Sequence, residues 1–163
     1  MPSGETHQRL ARLIFRLSEE YSTPLFEPHI SLLGGLTATE DRLQSLSHQL
    51  AARLTAFEVP LTRADYLDEF HRALFVRVAE IEPVMNANRQ ARDVFGREQG
   101  SAYMPHLSLL YGNLSQDLKE EILSKIGREF NTSFPVDRFF LQCTTGDTKD
   151  WYRLGEFLMA AEV

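Results

Sequence analysis

Apolar residues recur at helical and strand-like spacings along the whole chain, in an order that predicts an α+β protein. Near the start they follow one another at intervals of three, one, three and four residues, which predicts an amphipathic helix over about 6–21. Similar reasoning predicts further helices over about 39–54, 83–95 and 116–130. Short runs of strand-like composition predict strands over 29–34, 57–66, 73–79, 106–111, 134–143 and 151–159.

The predicted elements repeat when the chain is divided near Glu80. Each half then contains a helix, a short strand, a second helix and two further strands, and no low-complexity linker separates the halves. This order predicts an internal duplication. We therefore expect residues 1–163 to form a single domain of two lobes, approximately 1–80 and 81–163, related by a pseudo-twofold axis. An exchange of strands between the lobes is left open.

One apolar hexapeptide occurs twice, at matching places in the two predicted halves. PHISLL spans residues 28–33, PHLSLL spans residues 105–110, and the copies differ only at their third position. A single histidine two residues before a serine is typical of an ordinary half-buried strand. Two copies at equivalent places favour a functional role, because packing alone would preserve the apolar alternation but not the histidine and the serine.

Alternation along a strand separates the polar residues of each copy from its apolar ones. Residues i and i+2 point to the same face, so His29 lies beside Ser31 and His106 lies beside Ser108. If a twofold axis relates the lobes, the two polar faces meet at one cleft. One imidazole can accept a proton there while the other donates one. The serine hydroxyls can donate hydrogen bonds to phosphate oxygens, so the pattern predicts displacement at a phosphate ester without a metal ion.

Composition and charge favour a cytoplasmic globular protein that binds a small ligand over a membrane protein or one that binds long nucleic acids. The chain has 163 residues, of which 43% are hydrophobic and 25% charged, as in ordinary soluble proteins. No apolar run approaches the ~20 residues that span a bilayer, and the first residues lack the apolar stretch of a secretory signal. The single cysteine, Cys143, favours a reducing compartment, so we expect a cytoplasmic protein. The net charge of −6 argues against a long nucleic acid as partner but allows a small phosphorylated ligand.

Other catalytic patterns find no support in the sequence. A zinc site usually needs three protein ligands or more, and neither hexapeptide supplies a third. The chain has no Walker A loop, no dinucleotide-binding fingerprint after a strand, no HExxH motif and no G-x-S-x-G elbow. We therefore expect neither a metal nor another cofactor.

The two H-x-[ST]-x motifs, one in each half, resemble those of the 2H phosphoesterase superfamily. The segment AYMPHLSLLYGNL, residues 102–114, is similar to the corresponding segment of the cyclic phosphodiesterase-like family within it. The resemblance extends over essentially the whole chain, and it implies a bilobal α+β fold with two antiparallel sheets around a central cleft and helices outside. That family usually begins with a strand. Only Met1 to Glu5 precede the first predicted helix here, so we expect this N-terminal strand to be missing or truncated.

The resemblance also implies a reaction, the opening of a ribose cyclic phosphate to a phosphomonoester. The substrate would be a nucleoside 2′,3′-cyclic phosphate or the cyclic phosphate of ADP-ribose. His29 and His106 would be the catalytic acid and base, in an order that stays open, while Ser31, Ser108 and Tyr111 would bind the substrate. We expect a monomer whose partner is this small cyclic-phosphate nucleotide.

Two alternatives remain at the level of sequence. The site could bind a nucleotide without turning it over, or it could act on the 2′,3′-cyclic phosphate at an RNA end, as a ligase or nuclease would. The acidic net charge counts against the second. Arg72 and Arg77 are both candidates for a guanidinium near the phosphate, and the sequence does not rank them.

Overall fold

The computed structural model describes residues 1–99 and 102–160, and within them the chain forms four α-helices, six β-strands and two short 3₁₀ turns. The helices are α1 (Gly4–Tyr21), α2 (Glu40–Ala51), α3 (Glu82–Val94) and α4 (Gln116–Ile126). The strands are β1 (Phe57–Asp65), β2 (Leu74–Val78), β3 (His106–Leu110), β4 (Glu129–Val136), β5 (Arg138–Cys143) and β6 (Tyr152–Leu158). The 3₁₀ turns are Phe70–Arg72 and Thr148–Asp150. Along this described part of the chain, none of the helices has the length and apolar character that crossing a membrane requires.

The strands form two antiparallel sheets. The larger has the order β3-β2-β1-β4, and the smaller is the hairpin of β5 and β6. The α+β class with antiparallel sheets is therefore confirmed. The larger sheet takes β1 and β2 from the first predicted half and β3 and β4 from the second. The division into two lobes stays a prediction.

The core between α1 and the larger sheet follows the apolar pattern of the sequence. Leu10, Ile14 and Leu17 point from α1 into this core and are all almost fully buried. Leu107 and Leu109 of β3 lie in the same core and are also fully buried. The helical spacing that predicted α1 is thus the spacing of the residues that pack against β3.

Glycine ends α4 earlier than the apolar periodicity predicted. Gly127 has a φ of 81°, which removes it from the helical region and is a conformation that favours glycine. The chain then enters β4 at Glu129, so the prediction of a helix to residue 130 was wrong. At the other end of α4 the prediction was right, because the Ser115 hydroxyl accepts a hydrogen bond from the backbone N–H of Leu118 at 3.3 Å.

The strand predicted over 134–143 is two strands in different sheets. β4 pairs with β1, whereas β5 pairs with β6, and the chain changes sheet at Asp137. Both segments have strand-like composition because each buries part of its side chains, and only Asp137 and Arg138 separate their apolar residues. The second half of the chain therefore has one strand more than the repeat predicted.

The strand predicted over 29–34 is also absent. Within this segment only Ile30 takes part in β pairing, through an isolated antiparallel bridge to Leu107. The rest of the segment is a loop that bends at Leu32 and Leu33 and runs to Gly35, whose φ is 67°. The second copy of the hexapeptide does form a strand, β3, which is hydrogen-bonded to β2.

Candidate active site

The two copies of the hexapeptide lie side by side, and a single bridge sets their alignment. Their third residues, Ile30 and Leu107, are the bridged pair. The pair is antiparallel, so a local twofold axis passes between these two residues. The two hexapeptides are therefore related locally by a twofold axis, whereas the pseudo-twofold relation of the two lobes stays a prediction.

This alignment places the four polar residues of the two motifs on one face. Neighbours of a bridged pair face away from it, so His29 is opposite Ser108, and Ser31 is opposite His106. The two histidines are diagonal neighbours, and such neighbours are about 7 Å apart across an antiparallel pair. Side chains of two residues at this backbone spacing can both reach one phosphate group.

Backbone carbonyls hold both imidazoles in the same way. The Nδ1 atom of His29 lies 2.7 Å from the carbonyl oxygen of Glu27, and that of His106 lies 2.9 Å from the carbonyl oxygen of Met104. Each carbonyl belongs to the residue before a proline, which the proline keeps extended. A carbonyl only accepts, so Nδ1 carries the proton in both rings. The Nε2 atoms are left for proton transfer. The proline at the start of each motif has a structural role, because it keeps the residue that supplies the carbonyl extended.

Burial and neighbouring charges lower the pKa of both histidines. Burial is the main cause of the lowered pKa of His29, and the charge on His106 lowers it further, while the hydrogen bond to the Glu27 carbonyl opposes the shift. Burial also lowers the pKa of His106, opposed by its bond to Met104 and assisted by the charge of Arg72. The charge on His106 thus disfavours the imidazolium form of His29.

Tyr111 joins the site from the residue after β3. Its hydroxyl lies 3.4 Å from Nε2 of His29, and its ring stacks on Phe26 with centroids 3.9 Å apart. Burial raises the pKa of Tyr111 to about 12, so the side chain keeps its proton at neutral pH. Tyr111 can therefore act as a hydrogen-bond donor next to His29, and its part in binding substrate stays a prediction.

The two motif serines are not equivalent. Ser31 is exposed and lines a cavity beside His29. Ser108 is buried, and its hydroxyl donates to the backbone carbonyl of His71 at 3.0 Å. Ser31 is thus open to a ligand, whereas the Ser108 hydroxyl has a partner in the turn before β2.

Three aromatic residues of the site were not found by the sequence reading. The Phe26 and Trp151 rings lie 6.0 and 6.3 Å from the His29 ring, both edge-on. His71 is exposed, and its ring contacts Tyr111 with centroids 5.0 Å apart. These residues come from three separate segments, so no local spacing could have indicated them.

Both candidate guanidinium groups lie near the second motif. Arg77 is the cross-strand partner of His106, and its Nε donates to Asp65 at 2.7 Å. Arg72 lies near enough to His106 for its charge to lower the pKa of that histidine, and its Nε donates to Glu69 at 2.9 Å. Each arginine is therefore held by a carboxylate beside the second motif.

A cavity of ≈ 530 Å³ extends from the first motif toward α2 and the hairpin of β5 and β6. Among the described residues, those lining it nearest the site are His29, Ser31 and Trp151. The same part of the chain contains no group of three histidine, cysteine, aspartate or glutamate side chains arranged to hold a metal ion.

The fold and the pair of histidine motifs define a phosphoesterase of the 2H type. A family model described as the 2′-5′ RNA ligase superfamily matches residues 2–148, and the chain belongs to this superfamily. It is accordingly an enzyme of the phosphodiesterase class.

Comparisons with individual proteins agree with the family. The cyclic phosphodiesterase of Arabidopsis thaliana is 27% identical over 154 residues, which cover 92% of this chain and 84% of that protein. TT0787 of Thermus thermophilus has a TM-score of 0.69 at 18% identity, covering 98% of this chain and 94% of its own. E. coli LigT, solved with 3′-AMP, has a TM-score of 0.64 at 14% identity, covering 93% and 91%. These two structures show that the fold is shared, and the resemblance drawn from the motifs is confirmed.

Proposed function

We propose that this protein hydrolyses a ribose cyclic phosphate to a phosphomonoester without a metal ion, with one of His29 and His106 as general base and the other as general acid, in an order that stays open. The observation that carries the proposal is the antiparallel bridge between the two motifs. It aligns both histidines on one face, and each has its Nδ1 bound to a backbone carbonyl. In each ring Nδ1 and not Nε2 makes the backbone bond, and Nε2 of His29 can exchange its 3.4 Å contact with the Tyr111 hydroxyl for the substrate.

The reaction needs one neutral and one protonated imidazole. The neutral Nε2 takes a proton from a water molecule as its oxygen forms a bond to phosphorus. The protonated Nε2 gives its proton to the ribose oxygen that leaves as its bond to phosphorus breaks. The attacking and leaving oxygens lie in line, on opposite sides of the phosphorus. After release of the phosphomonoester, one proton moves between the histidines through solvent to restore the starting state.

Hydroxyl groups beside the histidines would bind the non-bridging phosphate oxygens. Ser31 is exposed at the cavity, and the Tyr111 hydroxyl adjoins Nε2 of His29. Donors fixed at the place where charge develops stabilise a transition state because they need no reorganisation. Ser108 could contribute only by exchanging its bond with the His71 carbonyl for one with the substrate.

The chemical nature of the substrate is supported by the relatives and by the aromatic residues. One relative is named a cyclic phosphodiesterase, and E. coli LigT has been solved with 3′-AMP, a nucleoside monophosphate. Trp151 is only partly buried and lies beside His29, where its ring offers a flat surface to a nucleobase. A nucleoside 2′,3′-cyclic phosphate or the cyclic phosphate of ADP-ribose fits this arrangement. The family description favours a second candidate, the cyclic phosphate at an RNA end.

The test is a substrate screen with histidine variants. The wild-type protein would be assayed with 2′,3′-cyclic AMP, ADP-ribose cyclic phosphate and an RNA oligonucleotide ending in a cyclic phosphate, with products identified by phosphorus NMR. We expect His29→Gln and His106→Gln each to lower kcat by about 10²–10⁴-fold, as for loss of one general acid or base. The double variant should lose little more, because the two groups act as a unit.

Controls separate this mechanism from its rivals. His48→Gln changes an exposed histidine on α2 and should leave kcat unaltered. Full activity in EDTA is expected, and activity that EDTA abolishes and zinc restores would contradict the proposal. Binding of a nucleotide without any product would instead indicate a non-catalytic module, and turnover of the RNA oligonucleotide alone would favour the second candidate.

A further inference from the structure

Side chains from residues 88–103 hold the loop that carries the first histidine motif. Three backbone carbonyls of this loop accept hydrogen bonds from three side chains, each on a different part of the later chain. The pairs are the Tyr103 hydroxyl to Ser31 at 3.1 Å, Asn88 Nδ2 to Leu32 at 2.7 Å, and Arg97 Nη1 to Gly35 at 2.7 Å.

The second motif is held differently. β3 is paired with β2 from His106 to Leu110, so a ladder of backbone hydrogen bonds fixes its position. Among the residues that the structure describes, the first motif pairs only through the bridge at Ile30. An isolated bridge sets the alignment at one residue but does little to stop the rest of a segment from shifting. The side-chain donors therefore take the place of a neighbouring strand.

We propose that Asn88 and Tyr103 are positioning residues, which hold the first motif in alignment with the second so that His29 stays opposite Ser108. Neither residue touches the reacting atoms in this proposal. They act through the backbone of Ser31 and Leu32, the two residues that follow the bridge.

Asn88 can hold the loop in a fixed position because both the nitrogen and the oxygen of its side-chain amide form hydrogen bonds. The side chain is 4% exposed and projects from α3. Its Nδ2 donates to the Leu32 carbonyl, while its Oδ1 accepts from Nε of Arg92 at 3.2 Å. An arginine only donates, so this bond fixes which end of the amide faces Leu32. A rigid helix thus presents a single oriented donor to the loop.

Tyr103 connects the two motifs through one short stretch of chain. It lies three residues before His106, and the carbonyl of Met104 between them accepts the hydrogen bond from His106 Nδ1. Burial raises the pKa of Tyr103 to about 12, so its hydroxyl stays protonated and can donate to Ser31. The segment that orients the second histidine therefore also holds the loop of the first.

The test uses Tyr103→Phe and Asn88→Leu, which remove the donors without adding charge. Misplacement of a catalytic group by about 1 Å can cost up to about 100-fold in rate. We expect each variant to lower kcat by about tenfold or more on the substrate that the wild type hydrolyses, with KM changed less than about twofold. Tyr21→Phe and Asn86→Leu, the latter on the same helix as Asn88, are the matched controls and should behave as wild type.

A second measurement reads the position of His29 directly. The imidazole protons of His29 and His106 can be titrated by NMR in each variant. A loosened loop admits water, so the pKa of His29 should rise toward its ordinary value while that of His106 stays. The groups facing His29 are His106, Glu27, Tyr111 and the N-terminal amine, and neither substitution changes any of them.

The two measurements make failure of this inference distinguishable from failure of the proposed function. Only the kinetic part rests on the proposed function, since the titration needs no substrate. If Asn88→Leu does not fold, the proposal is tested with Tyr103→Phe alone, because this variant loses only one oxygen atom. A folded Tyr103→Phe protein with wild-type kcat and an unshifted His29 titration would overturn the proposal.

Discussion

Removing the side-chain hydroxyl should lower the stability of the protein at Ser108 and its catalytic activity at Ser31. Ser108 is 4% exposed, and its hydroxyl donates to the His71 carbonyl at 3.0 Å. Ser108→Ala removes this part-buried hydrogen bond, and the loss of one such bond costs about 0.5–1.5 kcal/mol. The turn keeps a second attachment, because the Phe70 carbonyl accepts from the backbone N–H of Gly112 at 2.9 Å. We therefore expect the free energy of unfolding to fall by about 0.5–1.5 kcal/mol.

Ser31→Ala should instead leave stability intact and impair catalysis. Ser31 is exposed, and among the described residues its hydroxyl has no recorded hydrogen bond. Substitutions at such positions usually change stability by less than about 0.5 kcal/mol. If the Ser31 hydroxyl binds a phosphate oxygen, its removal should lower kcat/KM by about tenfold or more, by analogy with other donors to a developing charge.

Urea unfolding followed by the fluorescence of the single tryptophan, Trp151, measures the difference. With an m-value of about 2 kcal/mol per molar urea, a loss of about 1.5 kcal/mol, the upper end of the range expected for Ser108→Ala, lowers the midpoint by about 0.7 M. The Ser31→Ala midpoint should match that of the wild type. Equal midpoints for wild type and Ser108→Ala would refute the role given to the bond with His71, and equal losses in both variants would refute the distinction between the serines.

Two further predictions concern pH and packing. Burial lowers the pKa of both His29 and His106, so the acid form is lost at a lower pH than for an ordinary imidazole. The bell-shaped profile of kcat/KM should therefore be centred below about pH 6.5, and a centre above that value would contradict the burial of the pair. A Cβ atom at Gly155 would lie 2.8 Å from two ring atoms of buried Phe157, so Gly155→Ala should lower stability by about 1–3 kcal/mol in thermal unfolding. Gly34→Ala, where a Cβ meets nothing within 4 Å, is the control, and equal melting temperatures for the two variants would show that the ring moves aside without cost.

Elements defined by a local sequence pattern were predicted correctly, whereas segments whose conformation depends on contacts distant in sequence were not. α1 was predicted to within two residues at its start, because its apolar stripe is a local pattern and faces one surface, the side of β3. The segment after Pro28 was predicted as a strand because its composition matches that of β3. Only β3 has a neighbouring strand, whereas the first copy is bonded by side chains that lie more than 50 residues away in sequence. Nothing in the local pattern distinguishes these two situations.

The sequence by itself determined the α+β class, the repeated histidine and serine, and the proline that sets each Nδ1 bond. These follow from periodicity, from the two-residue repeat of an extended chain and from the restriction a proline places on the residue before it. The tertiary structure alone decided that Ile30 meets Leu107, that Tyr111 adjoins His29, and that only one of the two serines is buried. Such contacts join segments far apart in the chain and depend on how loops pack, which local propensity does not encode.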